Sequence, residues 1–288
     1  MRNWLCRGAW LLCALPAWCA GQTYQALSVR SADGTELKAW RIDPEGMPAE
    51  QPRPVVLALH GCGGLYATQG PRRGQLNARH DGMARLLRAQ GYSVVLPDSF
   101  STRGEQSICA QKIRDRTIKQ SHRRDDVTGA LAWLAAQNWV DAKKIALLGW
   151  SHGGSAVLAS TDANDSVVSA RAVQPSLAIA FYPGCSDALR AGYRPVAPLL
   201  MLLGEWDDWT PAAPCLDLAR RVQARALVYP ESHHGFDNPT GQVTLRADVP
   251  NGAHPGKGVH TGRNPITGPQ AWQRVVDTLA TGWGKAPD

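Results

Sequence analysis

Short runs of apolar residues alternate along the chain with longer stretches in which apolar positions recur at helical spacing. Residues 54–59 form a continuous apolar run, which is typical of a strand buried on both faces of a sheet. The same pattern predicts further strands over residues 93–97, 144–148, 177–182, 198–203 and 226–229. Helices are predicted over residues 79–90, 125–136 and 270–283, and near Ser155 and Leu216. This alternation predicts an α/β fold with a mostly parallel central sheet flanked by helices on both faces.

Two segments depart from the alternation. Residues 24–30 and 37–42 carry strand-forming residues around Asp33 and Gly34, which predicts a hairpin near the start of the domain. Residues 238–269 are rich in glycine, proline and polar side chains, and we expect a long loop there, either a mobile lid or a surface loop. Ligands of parallel sheets bind at the carboxyl ends of the strands, so a site is expected in the loops that follow them.

The first residues differ in character from the rest of the chain. Arg2 and Arg7 precede or flank an apolar stretch over residues 9–20, which is typical of a signal peptide. This stretch is shorter than the roughly 20 residues that span a bilayer, so no stable membrane anchor is expected. We therefore predict a signal peptide over residues 1–20, a single domain over residues 21–288, and a periplasmic or secreted protein.

Charge and histidine spacing argue against two classes of partner. The chain has 31 basic and 24 acidic side chains, for a formal net charge of +7, and its basic residues are scattered. Without a basic patch interleaved with aromatic residues, no nucleic-acid partner is expected. His254 and His260, taken with His233 and Asp237, match no tetrahedral zinc pattern in their spacing. We expect neither a metal nor a cofactor.

The cysteines predict disulfide bonds. Beyond residue 20 the cysteines are Cys62, Cys109, Cys185 and Cys215. In an oxidising compartment such a set favours two disulfides, with three possible connectivities. Pairing the first with the second and the third with the fourth joins loops expected at the same end of the sheet, and we favour it for that reason. The alternative is four free, buried thiols.

The strongest chemical signal is the Gly-Trp-Ser-His-Gly sequence of residues 149–153. It directly follows one predicted strand and directly precedes a predicted helix, as a nucleophile elbow does. Glycines two residues to either side of Ser151 remove the Cβ atoms that would collide in so tight a turn. Ser151 is therefore the candidate nucleophile.

A serine nucleophile needs a base and an orienting carboxylate, and both types of residue follow later in the chain. The loop after the next-to-last strand offers Asp207, which we favour, with Asp208 as the nearest rival and Glu205 as a third carboxylate. The loop after the last strand offers two adjacent histidines, of which His234 is preferred over His233. The chain order Ser, Asp, His is the one expected after such an elbow.

An oxyanion hole is predicted from the His-Gly-Cys-Gly-Gly sequence of residues 60–64, which follows the first long apolar run. The backbone N–H of Cys62 is expected to pair with that of His152, the residue after the nucleophile. A nucleophilic Cys62 thiol is the less favoured alternative, because a disulfide or simple packing accounts for the side chain.

Together these residues resemble the dienelactone hydrolase family of the α/β-hydrolases, over most of the chain after residue 20. The motifs that carry the likeness are residues 60–64, Pro-Asp-Ser-Phe at 97–100 with the following Arg103-Gly104, Arg124-Asp125, the serine elbow, His234-Gly-Phe, and Trp-Gln-Arg-Val at 272–275. The best-known members of the family carry a cysteine at the elbow, whereas Ser151 is similar to the nucleophile of its broader esterase members. The resemblance implies an α/β-hydrolase fold and hydrolysis of an ester or a lactone.

Four further residues are candidates for substrate binding. Arg103 follows a strand at the expected active-site end and would hold a substrate carboxylate, the alternative being a surface arginine or one paired with Asp98. Trp150, Trp206 and Trp209 flank catalytic positions and would line an acyl or aromatic pocket. Core packing is the alternative for Trp150.

The predicted function is hydrolysis of a small-molecule ester or lactone through an acyl-enzyme. His234 would deprotonate Ser151, Asp207 would orient the imidazole, and water would complete turnover. A peptidase or amidase on the same fold is one alternative, and a catalytically silent periplasmic ligand-binding protein is another. Ester turnover that depends on Ser151 separates the enzymes from the binding protein.

Overall fold

A computed structural model describes residues 24–48 and 50–284. The predicted signal peptide over residues 1–20 lies outside these ranges. Within them, no helix is both long and apolar enough to cross a membrane.

The described residues form a central eight-stranded sheet and a separate two-stranded ribbon. The strands of the sheet are β1 (Gln25–Arg30), β2 (Glu36–Ile42), β3 (Arg53–Leu59), β4 (Ser93–Pro97), β5 (Val140–Trp150), β6 (Leu177–Phe181), β7 (Leu199–Gly204) and β8 (Arg225–Tyr229). They lie in the order β1-β2-β4-β3-β5-β6-β7-β8. β2 is antiparallel to both of its neighbours and the remaining pairs are parallel. The predicted N-terminal hairpin and the mostly parallel sheet are both confirmed.

Helices connect the strands and cover both faces of the sheet. They are α1 (Ala78–Ala89), α2 (Gln120–Ala135), α3 (His152–Ala159), α4 (Ser166–Ser169), α5 (Ser186–Arg190), α6 (Ala212–Val222) and α7 (Thr267–Gly282), with 3-10 turns at Ser101–Arg103 and Ile113–Asp115. The parallel pairs need such crossover connections, because a short turn cannot join two parallel neighbours.

β3 shows how one strand serves two cores. Val55, Leu57 and Leu59 belong to an apolar cluster with side chains of α2, α3 and α6. The alternate residues Val56 and Ala58 belong to a second cluster with side chains of α1 and α7. Since successive side chains of a strand point to opposite faces, a continuous apolar run is what a strand with two covered faces requires.

The start of α2 was predicted wrongly. The helix begins at Gln120 rather than at residue 125, because its polar first turn packs inward and buries Arg123. His122 Nδ1 accepts a hydrogen bond from the backbone N–H of Lys119 at 3.0 Å, which satisfies one of the free donors at the helix start. Apolar residues at helical spacing occur only in the later turns of this helix, so the spacing does not predict its polar first turn.

The segment over residues 238–269 is more ordered than a long loop. It contains a ribbon of β9 (Thr244–Arg246) and β10 (Val259–Thr261), paired antiparallel. Thr261 Oγ1 donates to the backbone carbonyl of His234 at 2.8 Å, and the Ala253 N–H donates to that of Asp208 at 2.8 Å. The expected loop is therefore corrected to a strap that is hydrogen-bonded to both loops in which the acid and the base were predicted.

Candidate active site

Ser151 occupies the sharp turn between β5 and α3, with φ 54° and ψ −116°. A left-handed conformation of this kind is strained for a residue with a Cβ and is found where the surrounding structure enforces it. Two glycines allow the close backbone packing that holds Ser151 in this conformation. A Cβ on Gly149 would lie 2.2 Å from the carbonyl oxygen of Gly153, and one on Gly153 would lie 2.1 Å from that of Leu59. No larger residue fits at either position unless the backbone moves.

A continuous chain of hydrogen bonds joins Ser151, His234 and Asp207. His234 Nε2 lies 2.8 Å from Ser151 Oγ, and His234 Nδ1 lies 2.8 Å from Asp207 Oδ2. A carboxylate can only accept, so Nδ1 carries the proton that it donates to Asp207. Nε2 is then free to accept the serine proton, which is the tautomer a general base needs.

Asp207 is fixed by donors from its own loop. Its Oδ1 accepts from the backbone N–H groups of Trp209 at 2.9 Å and Thr210 at 2.8 Å. The Thr210 hydroxyl donates to Oδ2 at 3.0 Å. Three donors hold the carboxylate in one orientation and leave it the role of an acceptor toward His234.

The rival residues point elsewhere. Asp208 accepts from the backbone N–H of His260 at 2.8 Å, and its other oxygen lies 2.7 Å from His260 Nδ1. Glu205 accepts from a backbone N–H at 3.0 Å, and His233 Nδ1 lies 3.1 Å from the carbonyl oxygen of Trp206. The structure therefore brings together the three residues favoured from the sequence and none of their alternatives.

The loop over residues 60–64 packs directly against the elbow. A Cβ on Gly61 would lie 3.5 Å from Ser151 Cβ and 3.1 Å from the carbonyl oxygen of Trp150. Among the described residues, the backbone N–H groups of Cys62 and His152 donate to no protein acceptor. Two unused donors thus lie on the two segments that meet at Ser151.

Two disulfides have the connectivity favoured from the sequence, Cys62–Cys109 and Cys185–Cys215. The first ties the loop over residues 60–64 to the segment after β4, where the Ile108 N–H also donates to the Cys62 carbonyl at 2.8 Å. The alternative of a nucleophilic Cys62 thiol is thereby contradicted, because its sulfur is already bonded. The second disulfide joins α5 to α6.

Comparison with known families agrees with this geometry. The model of the dienelactone hydrolase family matches residues 45–282. The chain belongs to the dienelactone hydrolase family. It is accordingly a carboxylic ester hydrolase with the α/β-hydrolase fold, as the resemblance implied. No curated protein matches it.

Solved structures of this dienelactone hydrolase family and of esterases share the fold. A Klebsiella pneumoniae protein described as a dienelactone hydrolase superimposes with a TM-score of 0.62 at 17% identity, over 90% of this chain and 99% of that one. Esterase 2 of Thermogutta terrifontis gives 0.63 at 16%, over 92% and 97%. A dienelactone hydrolase-like promiscuous phosphotriesterase from metagenomic libraries gives 0.61 at 20%, over 90% and 98%.

Arg103 was predicted wrongly as a ligand for a substrate carboxylate. In this family member its guanidinium forms two hydrogen bonds with Asp126, at 2.7 and 3.0 Å, and one with Asp33 at 2.8 Å. A further N–H donates to the Ser99 carbonyl at 2.8 Å. Both terminal nitrogens are thus engaged within the protein, and the pairing with Asp126 anchors α2 rather than a substrate.

The three tryptophans have three different surroundings. Trp150 is fully buried, stacks on Phe181 and donates its indole N–H to Asp237 at 2.8 Å, so its prediction as a pocket residue is wrong. Trp206 is half exposed and its ring lies 5.6 Å from that of the rival His233. Trp209 has its ring 4.6 Å from that of His234, where it flanks the hydrogen-bonded chain.

Sequence reasoning missed the role of Asp237, which it considered only in connection with a metal. Its buried carboxylate accepts from the hydroxyl of Tyr182 at 2.6 Å and from two indole N–H groups, and it lies 3.2 Å from Arg79 Nε. The Tyr182 ring lies 4.5 Å from that of His234, and burial raises the pKa of Tyr182 well above its usual value. Asp237 therefore anchors the aromatic side chain that packs against the base.

Three histidines near the site are buried and neutral. Burial lowers the pKa of His60 and of His152 well below the usual value, and the charge of Arg123 lowers both further. Burial lowers the pKa of His80 to about 3. Each of these imidazoles therefore acts as a polar packing group that stays uncharged near neutral pH.

These shifts predict a loss of stability in mild acid. Below pH about 6.5 the unfolded chain binds protons that the folded His60, His80 and His152 do not bind, so the free energy of unfolding falls as pH falls. Each histidine contributes a slope of about 1.4 kcal/mol per pH unit once its unfolded form is fully titrated. Urea unfolding between pH 7 and pH 4 measures this slope.

His80→Gln tests the assignment, since it removes one of the three contributions and is expected to lower the slope by about 1.4 kcal/mol per pH unit. His254→Gln is the matched control, because His254 is exposed in the strap over residues 238–269 and should leave the slope unchanged. An equal slope in wild type and His80→Gln would show that His80 does not titrate differently in the two states.

Proposed function

We propose that the protein hydrolyses small carboxylic esters or lactones through an acyl-enzyme formed on Ser151. The observation that carries this proposal is the unbroken hydrogen-bonded chain from Ser151 Oγ through His234 to Asp207, with both links at 2.8 Å. As Ser151 Oγ attacks the substrate carbonyl, His234 Nε2 takes the serine proton, and Asp207 orients and stabilises the resulting imidazolium. His234 then gives the proton to the departing alkoxide.

A water molecule completes the cycle. His234 removes its proton, the hydroxide attacks the acyl carbonyl, and the proton returns to Ser151 Oγ as the acid is released. In both halves the carbonyl oxygen becomes an oxyanion. The unused N–H groups of Cys62 and His152 are the donors proposed to stabilise it.

The surroundings support an uncharged substrate with an apolar or aromatic group. Trp209 flanks His234, and it packs against a buried apolar cluster that includes Phe100, Ile108 and Ile118. Arg103, the cation expected to bind a substrate carboxylate, is already paired within the protein. The apolar surroundings and the absence of a free Arg103 cation therefore favour uncharged esters and lactones as the first compounds to test.

Asp207→Asn and Asp208→Asn form a matched pair that tests the mechanism. Hydrolysis of p-nitrophenyl acetate and butyrate should show a burst followed by steady turnover in wild type and neither in Ser151→Ala. Asp207→Asn should lower kcat on the order of 10³–10⁴-fold because the histidine loses the tautomer it needs. Asp208→Asn should stay within about threefold, because that carboxylate bonds to His260.

Turnover that persists in Ser151→Ala would contradict the acyl-enzyme. A larger loss in Asp208→Asn than in Asp207→Asn would contradict the assignment of the acid. Absence of turnover in wild type would contradict the proposed preference for small esters.

The Cys62–Cys109 disulfide is expected to support the proposed oxyanion hole. Replacing both cysteines by alanine keeps the Cys62 backbone N–H but frees its loop, so kcat should fall by about tenfold or more. The pair Cys185→Ala/Cys215→Ala is the control, because that disulfide joins α5 to α6. Each double variant should lose about 2–5 kcal/mol of stability. Equal kcat values in the two variants would contradict a specific role for the first disulfide.

We also propose that residues 1–20 are a signal peptide, that residues 21–288 form a single domain, and that the protein works in the periplasm or outside the cell. Two disulfides support an oxidising compartment. N-terminal sequencing of the protein recovered from the periplasm or the medium should begin near residue 21. Recovery only from the cytoplasm with an intact N-terminus would contradict the proposal.

A further inference from the structure

The guanidinium of Arg123 lies behind both chain segments that carry the proposed oxyanion donors. Arg123 stands in the first turn of α2 and is 1% exposed. Its Nη2 donates to the carbonyl oxygen of His60 at 3.0 Å, and its Nη1 lies 3.1 Å from His152 Nδ1. His60 opens the loop that carries Cys62, and His152 directly follows Ser151. One side chain thus ties together the two segments that meet at the nucleophile.

The chemistry of arginine fixes the state of His152. Arginine can only donate, so His152 Nδ1 accepts and the ring proton sits on Nε2. Burial and the nearby positive charge both lower the pKa of His152, which keeps the ring neutral. The first residue of α3 is therefore held by a directed hydrogen bond from Arg123.

Among the described residues Arg123 forms no ion pair with a carboxylate, although Asp126 and Asp98 lie near enough to act on its charge. Asp126 is engaged by Arg103, and Asp98 Oδ1 accepts from backbone N–H groups of its own loop. Burial lowers the pKa of Arg123 to about 10, because its effect outweighs the opposing effect of the Asp126 and Asp98 carboxylates. An unpaired buried charge destabilises a folded protein, and strongly perturbed charges of this kind cluster at functional sites.

We propose that Arg123 is a positioning residue for the oxyanion of the ester hydrolysis proposed above. Its hydrogen bonds fix the segments of Cys62 and His152 relative to Ser151. Its charge, which Asp126 and Asp98 offset only in part, gains a further counter-charge when the carbonyl oxygen becomes negative. An interaction that strengthens in the transition state raises kcat with little effect on KM.

Two substitutions separate the charge from the hydrogen bonds. Arg123→Gln keeps an N–H donor without the charge, and Arg123→Lys keeps the charge on a single ammonium group. We expect kcat to fall about 30–100-fold in Arg123→Gln and less in Arg123→Lys, with KM within about twofold of wild type in both. Unfolding curves of each variant confirm that the measured protein is folded.

A boronic acid supplies the readout that a purely structural role would not produce. Phenylboronic acid forms a negatively charged tetrahedral adduct with a serine nucleophile, which mimics the oxyanion. Its inhibition constant should rise by about the same factor as kcat falls, because both depend on the same stabilisation. If Arg123→Gln does not fold, Arg123→Lys supplies the test. The factor by which its kcat falls should then match the factor by which its boronate inhibition constant rises.

Arg171→Gln is the matched control. Arg171 is partly buried with its pKa lowered to about 10, and it donates to the Ser160 carbonyl at 2.7 Å and to Thr128 Oγ1 at 2.9 Å, away from Ser151. Its replacement should leave kcat and the boronate inhibition constant unchanged. Equal effects at Arg123 and Arg171 would overturn the proposal.

A wild-type kcat in the Arg123 variants would overturn it too, as would a fall in kcat with an unchanged boronate inhibition constant. These outcomes leave the hydrolysis itself intact, since wild type would still show turnover that depends on Ser151. Loss of that dependence in wild type would instead contradict the proposed function and this inference with it.

Discussion

The left-handed backbone of Ser151 is the constraint on which the rest of the site depends. At φ 54° the serine is held between β5 and α3 with its hydroxyl directed at His234. The turn exists because the backbone around Gly149 and Gly153 packs too closely to admit a side chain. That close packing also brings the loop over residues 60–64 against the elbow. The nucleophile and the proposed oxyanion donors are therefore positioned by one set of backbone contacts.

The groups around this turn include neutral imidazoles, one carboxylate bonded to His234 and one buried cation. Burial lowers the pKa of His60 and of His152 beside the turn and keeps both imidazoles neutral. Asp207 is the one carboxylate bonded to His234 within the described residues, and its own loop supplies its other donors. Arg123 adds a positive charge behind the elbow, and no carboxylate of the described residues forms an ion pair with it. A site of this kind is organised before substrate arrives, which limits the reorganisation that catalysis requires.

Patterns of neighbouring residues predicted the features that depend on neighbouring residues. The strands, the hairpin and the elbow follow from apolar runs and glycine spacing, and the favoured serine, histidine and aspartate meet in the structure. The errors at the candidate site concern side-chain direction. Arg103 pairs with Asp126, which lies 23 residues further along the chain, and no spacing rule predicts that contact. Trp150 faces the core because β5 is covered on both faces, so its place beside Ser151 in sequence gives no sign of the surface it meets.

Covalent labelling tests the central claim, that Ser151 is a nucleophile activated by His234, most directly. Native protein would be treated with a fluorophosphonate, and the modified peptide would be identified by mass spectrometry. The account predicts a single adduct on Ser151, formed much more slowly in His234→Ala and absent in Ser151→Ala. An adduct on another residue, or loss of ester hydrolysis without modification of Ser151, would contradict it.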